Sequence, residues 1–521
     1  MRIYIARMTQ QTESPAGHVA SASAATLVGV LLALTANWTP ALAHTPPPAR
    51  DARIYALYIG TYTQGWACAE QRDCTSAGIY RAEFDAATGA LRSPVLVAKT
   101  VNPSYVAVHP SGRFAYAVNE VGDYMGQATG AISAYRIEAG GQLAEIGMLS
   151  SFGADPCYVS VDAAGRNVFV ANYGGSIASY RIATDGTLTV ASTIPQSGSG
   201  PHPNQKGPHA HFIAESPAHG RVYVADLGSD QVRVYRVDAA TGTLTLDAAP
   251  PGHLPLGSGP RHIAFHPSNR YAYVNNELAS TVTVFAHDAA TGALSPVQTL
   301  RTVPDGFTGA NNTAEIQTSA DGRFVYVANR GHNSIAVFQV DATSGTLTLL
   351  YVTPSLGDWP RDFKLDPTGG FLLVEHQKSD NIVVFRIDRA TGRLTPTGHE
   401  LRVSKPVSIA FVPAAAQPAS AHTLMHVVTF KFKASATRPQ IDSVVAAFKA
   451  LKTKIPTIHE FSWGTNVSPE KLNKGFTHAF VLSFGSDADR DAYLVHPDHV
   501  AFGKLLSPIL DDVFVIDYWT Q

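Results

Sequence analysis

Short apolar runs that alternate with polar positions, each closed by a turn, fill most of this chain. The stretch from Pro260 to Leu294, PRHIAFHPSNRYAYVNNELASTVTVFAHDAATGAL, shows the unit. IAFHP is short and apolar, SNR is a turn, YAYVNN alternates aromatic with small residues, and TVTVFAHD is rich in β-branched residues before DAATGAL. Period-two alternation with β-branched and aromatic enrichment predicts strands, and the Gly-, Asn- and Asp-rich breaks predict turns. A strand, a tight turn and a returning strand form an antiparallel hairpin, which brings Arg261 and Glu277 to one open end.

The unit recurs. Its closing turn reads DAATGAL at 85–91, EAGGQL at 138–143, ATDGTL at 183–188, DAATGTL at 238–244, DAATGAL at 288–294, DATSGTL at 341–347 and DRATGRL at 388–394. The central glycines are 89, 141, 186, 242, 292, 345 and 392, at intervals of 52, 45, 56, 50, 53 and 47 residues. The hairpin turn keeps step, as HPSGRFAYAV, DAAGRNVFVA, SPAHGRVYVA, HPSNRYAYVN, SADGRFVYVA and DPTGGFLLVE. An all-β period of roughly 40–50 residues predicts propeller blades. A second strand without a first, ARIYALYIGT (Ala52 to Thr61), opens the series, and a first strand without a second, PVSIAFVP (Pro406 to Pro413), ends it. Together they complete a seventh blade and remove the free edges of an open sheet. Residues 52–413 are thus expected to form an all-β seven-bladed propeller.

After Pro413 the pattern changes. AAAQPASA (414–421) reads as a small-residue linker, and a second domain is expected over 422–521. HVVTFKF, IHEFSW, THAFVLSF and DVFVIDYW read as strands. Ile441, Val444, Val445, Phe448 and Leu451 have helical spacing within Gln440–Ile455, and one further helix is expected from Asp487 to about Leu510. The order βαββαβ predicts an α+β ferredoxin-like module with one sheet face covered by helices.

Composition narrows the class. A chain of 521 residues exceeds one ordinary core, and 42 Gly and 33 Pro suit a turn-dense β architecture. A net charge of −2 has no nucleic-acid footprint. Arg2 and Arg7, the apolar run Ala24–Ala36 and the small-x-small site Ala41-Leu42-Ala43 predict a signal peptide over 1–43, cleaved before His44. The apolar run is short for a membrane span, so the mature protein is expected to be periplasmic or secreted, with no stable membrane span after processing. Cys68 and Cys74 sit close enough in one loop for a local disulfide in an oxidising compartment, leaving Cys157 unpaired.

The repeat register places side chains. Positions just before the first strand and just after the second of each unit share one rim of the ring. His211 opens the first strand of its unit, Arg261 opens the next, Glu277 closes that unit's second strand and Arg330 closes the following one. Four groups from three adjacent blades are therefore expected over one mouth of the central channel, with Glu120, Asn172, Tyr173, Asp226, Asp362 and His376 also on the rim. Two arginines offer fixed forks of donors for a carboxylate or an oxyanion. An arginine neighbour would keep Glu277 ionised while His211 titrates near neutrality, so the pair can move protons. Ester or lactone hydrolysis needs these groups, and so does ring closure of a carboxylate. The same Arg261–Glu277 pair also fits a cross-strand salt bridge. His202, His209 and His211 lack a carboxylate or Cys at ligand spacing, so no metal is expected.

Residues 53–413 resemble the seven-bladed lactonase propellers, which include cofactor-free 6-phosphogluconolactonases and carboxy-cis,cis-muconate cyclase. The resemblance rests on GPHAHFI (207–213), VADLGSDQVRVYRVD (224–238), GPRHIAFHP (259–267), VNNELASTVTVF (274–285) and DGFTGANNTAEIQTSADGRFVYVANRGHNSIAVF (305–338). It implies a small-molecule lactone substrate, no cofactor, and active-site positions at His211, Arg261, Glu277 and Arg330. It leaves His209 or His211 as the histidine, and His211 is preferred from its distance to the following turn. A binding propeller of the YVTN-repeat kind is the alternative reading. Residues 422–521 resemble the stress-responsive A/B barrel family through HVVTFKFK (426–433), WGTNVSPE (463–470), GFTHAFVLSF (475–484) and YLVHPDHVAFGKLL (493–506). That resemblance implies a dimeric α/β barrel, hence a homodimer through this domain. Some members close polyketide rings with a cleft histidine, which would make His499 a base with His426 and Tyr493 near it. The competing reading is a dimerisation module whose histidines are structural.

Overall fold

The computed structural model of the protein describes residues 54–412 and 424–520, apart from 66, 67, 69–73, 93, 456, 485 and 486. The leader expected over 1–43 and the linker expected over 414–421 lie outside the described residues.

Residues 54–412 form seven antiparallel sheets in sequence order, each of four strands, one of them with an extra short pair at Gly252–His253. Alternating aromatic, β-branched and small residues bury nearly every position of the second strand of each sheet, as in Tyr271–Asn276 and Phe324–Arg330. Both faces of those strands pack between neighbouring blades, which suits them to the ring interior. At one seam Phe324, Tyr326 and Val337 meet Phe363, Leu372 and Phe385 of the next blade. Each such side chain contributes roughly 1.5–3 kcal/mol on burial. The closing blade is composite, as the repeat predicts. Ile54–Thr61 pairs with Pro406–Phe411, with Leu57 opposite Phe411 and Ile59 opposite Ile409.

The repeated turn glycines are seams between blades. Tyr116 Oη donates to the Gly186 carbonyl of the next blade at 3.1 Å, and Tyr58, Tyr223 and Tyr326 do the same to Gly141, Gly292 and Gly392. Gly186 has φ 87°, and a Cβ there would lie 2.3 Å from a ring carbon of Phe114. Its left-handed backbone and the close aromatic both require glycine. Cys68 and Cys74 are joined by a disulfide, and Cys157 is free and buried.

Residues 424–520 form the expected βαββαβ module, with sheet order Glu460–Thr465, His478–Phe484, Leu424–Phe432, Leu510–Trp519. Its core joins Val428 and Phe430 of the sheet to Val444, Phe448 and Leu451 of the helix Arg438–Lys454. The single helix expected from Asp487 to about Leu510 is instead two, Asp487–Val495 and Pro497–Leu506. Pro497 has no N–H for a continuous helix, and His496 takes an extended conformation and caps the second helix by accepting from the Asp498 N–H at 3.2 Å.

Among the described residues no helix is long and apolar enough to cross a membrane.

Candidate active site

One register position in each blade feeds the channel. In five blades the first strand carries a one-residue bulge, with pairing shifted between 156 and 158, 210 and 212, 260 and 262, 360 and 362, and 406 and 408, and in a sixth the shift falls between 313 and 316. The unpaired residues of the five are Cys157, His211, Arg261, Arg361 and Val407. A bulge re-aims a side chain that the pleat would send into a blade face. In four of the five the chain enters the bulge through a left-handed residue two positions earlier, Asp155 (φ 53°), Gly259 (φ 64°), Trp359 (φ 66°) or Lys405 (φ 53°). The next residues in register, Tyr105, Tyr158, Phe212, His262, Glu315 and Asp362, form a second tier. Tyr105 and Tyr158 have ring centroids 4.3 Å apart, Tyr158 and Phe212 4.7 Å, and His262 Nδ1 lies 2.5 Å from Glu315 Oε2.

The first tier assembles as the register predicts. Glu277 Oε2 lies 3.1 Å from Arg261 Nε and 2.7 Å from Arg330 Nη2. Asn312 Nδ2 donates to the other Glu277 oxygen at 3.3 Å. Arg261 also donates from Nη1 to the Ala314 carbonyl at 2.6 Å, and Arg330 from Nη2 to the Thr313 carbonyl at 3.0 Å. The Arg330 guanidinium lies over the Trp359 ring, 5.6 Å from its centroid. His211 is 4 % exposed, its ring 5.2 Å from His262 and 5.9 Å from Tyr173, and its Nδ1 has no hydrogen-bond partner. His209 stacks on Tyr173 at 4.4 Å, with Nδ1 2.7 Å from the Tyr173 carbonyl oxygen. Of the two histidines, only His211 occupies the channel position.

Protonation follows from this crowding. Burial alone would raise the Glu277 carboxyl, but Arg330, Arg261, the Asn312 hydrogen bond and Arg361 bring it below the ordinary carboxylate value. Burial lowers Arg330 to about 10, opposed by Glu277, and it stays protonated at neutral pH. Burial, with the charges of Arg261, His262 and Arg361, holds His211 well below 6.5. The expectation that His211 titrates near neutrality is therefore corrected. It is a neutral imidazole there, because a buried cation among guanidinium groups is disfavoured twice over.

The other rim positions divide. Glu120 is at the mouth, both its oxygens 2.8 Å from Tyr62 Oη, and burial raises its carboxyl although Arg361 opposes this. Asn172 and Asp226 hold backbone, Asn172 donating to the Ser151 carbonyl and Asp226 accepting from the His209 and Gly228 N–H groups. His376 is fully buried. Asp362 sits one residue past the rim, in the second tier, and the rim position belongs to Arg361. Arg361 was legible: WPRDF repeats the Pro-Arg of GPRHI at the same place in the unit. Among the described residues no group of three or more His, Cys, Asp or Glu is arranged to hold a metal.

In the C-terminal module His426, Tyr493 and His499 do come together. Tyr493 lies 4.2 Å from His499 and 5.7 Å from His426 by ring centroids. His426 Nδ1 is 2.6 Å from Asp517 Oδ1, and Arg490 Nη1 is 2.8 Å from Asp517 Oδ2. Asp517 carried no sequence signal as a partner. Tyr493 is 1 % exposed within the hydrophobic core, which accounts for it by packing.

Residues 56–411 match the family model described as lactonase, 7-bladed beta-propeller, and 424–520 match that of the stress responsive A/B barrel domain. The chain is 38% identical over 361 residues to a 6-phosphogluconolactonase of Bacillus subtilis, covering 69% of this chain and 98% of that protein. Among solved structures, a periplasmic gluconolactonase of Pseudomonas aeruginosa is 36% identical with a TM-score of 0.63, over 69% of this chain and 99% of that one. A protein from Lactobacillus plantarum gives the same identity, TM-score and coverage.

Proposed function

Because the chain belongs to the seven-bladed β-propeller lactonase family and carries a stress-responsive A/B barrel domain after the ring, we propose that it hydrolyses a lactone bearing an anionic group, with side chains alone doing the chemistry. The observation that carries this reading is Glu277 held between Arg261 and Arg330, with His211 buried within electrostatic reach of Arg261 and its Nδ1 unpartnered. His211 would take a proton from water as it attacks the lactone carbonyl. The guanidinium groups of Arg261 and Arg330, oriented by Glu277, would stabilise the tetrahedral oxyanion. Collapse breaks the bond to the ring oxygen, which takes the proton back from His211, giving a hydroxy acid. Run backwards, the same steps close the ring. The names of the relatives support a sugar lactone as substrate. The test is a panel of lactones, with and without phosphate or carboxylate, assayed in chelator. Turnover that needs added metal, or none with any lactone, contradicts it.

The same proposal places the mature protein in the periplasm or medium, supported by the leader sequence and the Cys68–Cys74 bond. Cell fractionation that finds a full-length cytosolic chain would reject this. The C-terminal module is read as a dimerisation domain. On the sheet face away from its helices, Phe514, Ile516 and Tyr518 are 51 %, 44 % and 48 % exposed, opposite Thr429, Val427 and Met425. A second copy would cover this apolar face.

A further inference from the structure

Three arginines face the mouth, and they are not equivalent. Arg261 and Arg330 are each tied both to Glu277 and to a main-chain carbonyl. Arg361 comes from the equivalent bulge of the blade beyond Arg330 and is 8 % exposed. Its closest carboxylate oxygen is Glu120 Oε2 at 3.7 Å, too far for a hydrogen bond, and its guanidinium carbon lies 5.1 Å over the centre of the Tyr62 ring. Glu120 takes its hydrogen bonds from Tyr62 Oη instead. Burial would lower Arg361, but Tyr62, Glu120 and Glu277 more than offset it, so the group is a permanent cation.

A guanidinium nine-tenths buried, with no hydrogen bond from its five N–H groups to a described residue, is an incomplete arrangement. Glu120 answers only part of its charge, because burial raises that carboxyl even though Arg361 and the hydrogen bond from Tyr62 oppose the shift. The ring of Tyr62 on one side fixes the plane of the fork, as an aromatic face does for a cation.

We propose that Arg361 is the anion anchor of the site: its fork binds, bidentately, the phosphate or carboxylate at the end of the substrate remote from the lactone carbonyl. Arg261 and Arg330, fixed on Glu277, are left for the carbonyl oxygen. This rests on the lactonase reading for the substrate's other end, but not for the anion itself. The position is apt, because Arg361 and Arg261 sit at the same register in blades separated by one, so one ligand can span them across the channel.

Binding rather than turnover tests it, so that its fate is separate from that of the lactonase reading. Gluconate, 6-phosphogluconate and glucarate differ at one end, which carries hydroxyl, phosphate or carboxylate. Titration calorimetry on the full chain should show one or both of the latter two binding about tenfold or more tighter than gluconate, the worth of a charged bidentate pair. Arg361→Met should bring the gap to within about twofold; Arg361→Lys, which keeps charge but not the fork, should fall between. Phosphate alone giving the gap identifies phosphate esters as the class, and carboxylate alone identifies dicarboxylates. No gap in the wild type, or a gap that survives in Arg361→Met, overturns the proposal. If Arg361→Met does not fold, an undiminished gap in Arg361→Lys overturns it equally. A wild type that shows the gap but hydrolyses no lactone sinks the hydrolase reading alone.

Discussion

Glu277 and Arg330 belong to different blades, yet Oε2 of the first lies 2.7 Å from Nη2 of the second. The contact crosses the seam between two sheets, so it exists only when the ring is assembled.

Glu277→Gln removes the charge that orients both guanidinium groups, and Arg330→Ala removes half of the oxyanion support. Each should lower kcat/KM for lactone hydrolysis by about 10²–10⁴-fold. Circular dichroism and melting checks must show a folded ring. Rates equal to wild type in both folded variants would reject the site.

The pH profile carries the sign of the His211 shift. Since His211 loses its proton well below 6.5, its base form persists under mildly acidic conditions, and Glu277 remains a carboxylate there too. The acid limb of kcat/KM should fall below pH 6.5. A limb at or above that value contradicts a neutral, buried base.

Burial lowers His376 to about 4 from 6.5. The unfolded chain then binds a proton that the folded one refuses, so this residue withdraws stability as pH falls from 6.5 toward 4 and has no effect above 6.5. The two values correspond to about 3 kcal/mol by pH 4. His376→Gln should melt with a shallower dependence on pH across that window; an unchanged slope would contradict the shift.

The seams can be probed from both sides. Tyr116→Phe loses one hydrogen bond, about 1 kcal/mol. Gly186→Ala must strain a left-handed backbone and displace the Phe114 ring, at about 2–4 kcal/mol. Denaturant titration should rank the second variant well below the first.

For the assembly, light scattering of the full chain should give twice the monomer mass, and Ile516→Glu, on the exposed sheet face, should return it to one. A monomeric wild type excludes the dimer.

Much of this was legible because repetition multiplies a weak signal. A single YAYVNN is ambiguous, but seven turn glycines in step leave little choice of fold, and antiparallel pairing then forces Arg261 beside Glu277. The bulge was the hidden variable. Simple alternation cannot say which of Arg361 and Asp362 faces the mouth, and the extra residue moves the choice by one. The neutrality of His211 was equally invisible, because it depends first on burial in the assembled ring and then on the charges of Arg261, His262 and Arg361. In the C-terminal module, helical periodicity ran through His496-Pro497 unbroken, and the missing N–H of Pro497 decided the matter. Asp517 reaches His426 only through strand pairing between the two ends of that module.

The composite blade makes the ring an all-or-none object. Ile54–Thr61, the first described strand, has no permanent neighbour on its inner edge until Pro406–Phe411 arrives, after nearly the whole disc has been made. A nascent or threading polypeptide therefore carries an unfinished disc, and closure is a single late, long-range event. Truncations short of residue 411 should yield no partly active fragments, because the last piece of the ring to be synthesised is the clasp.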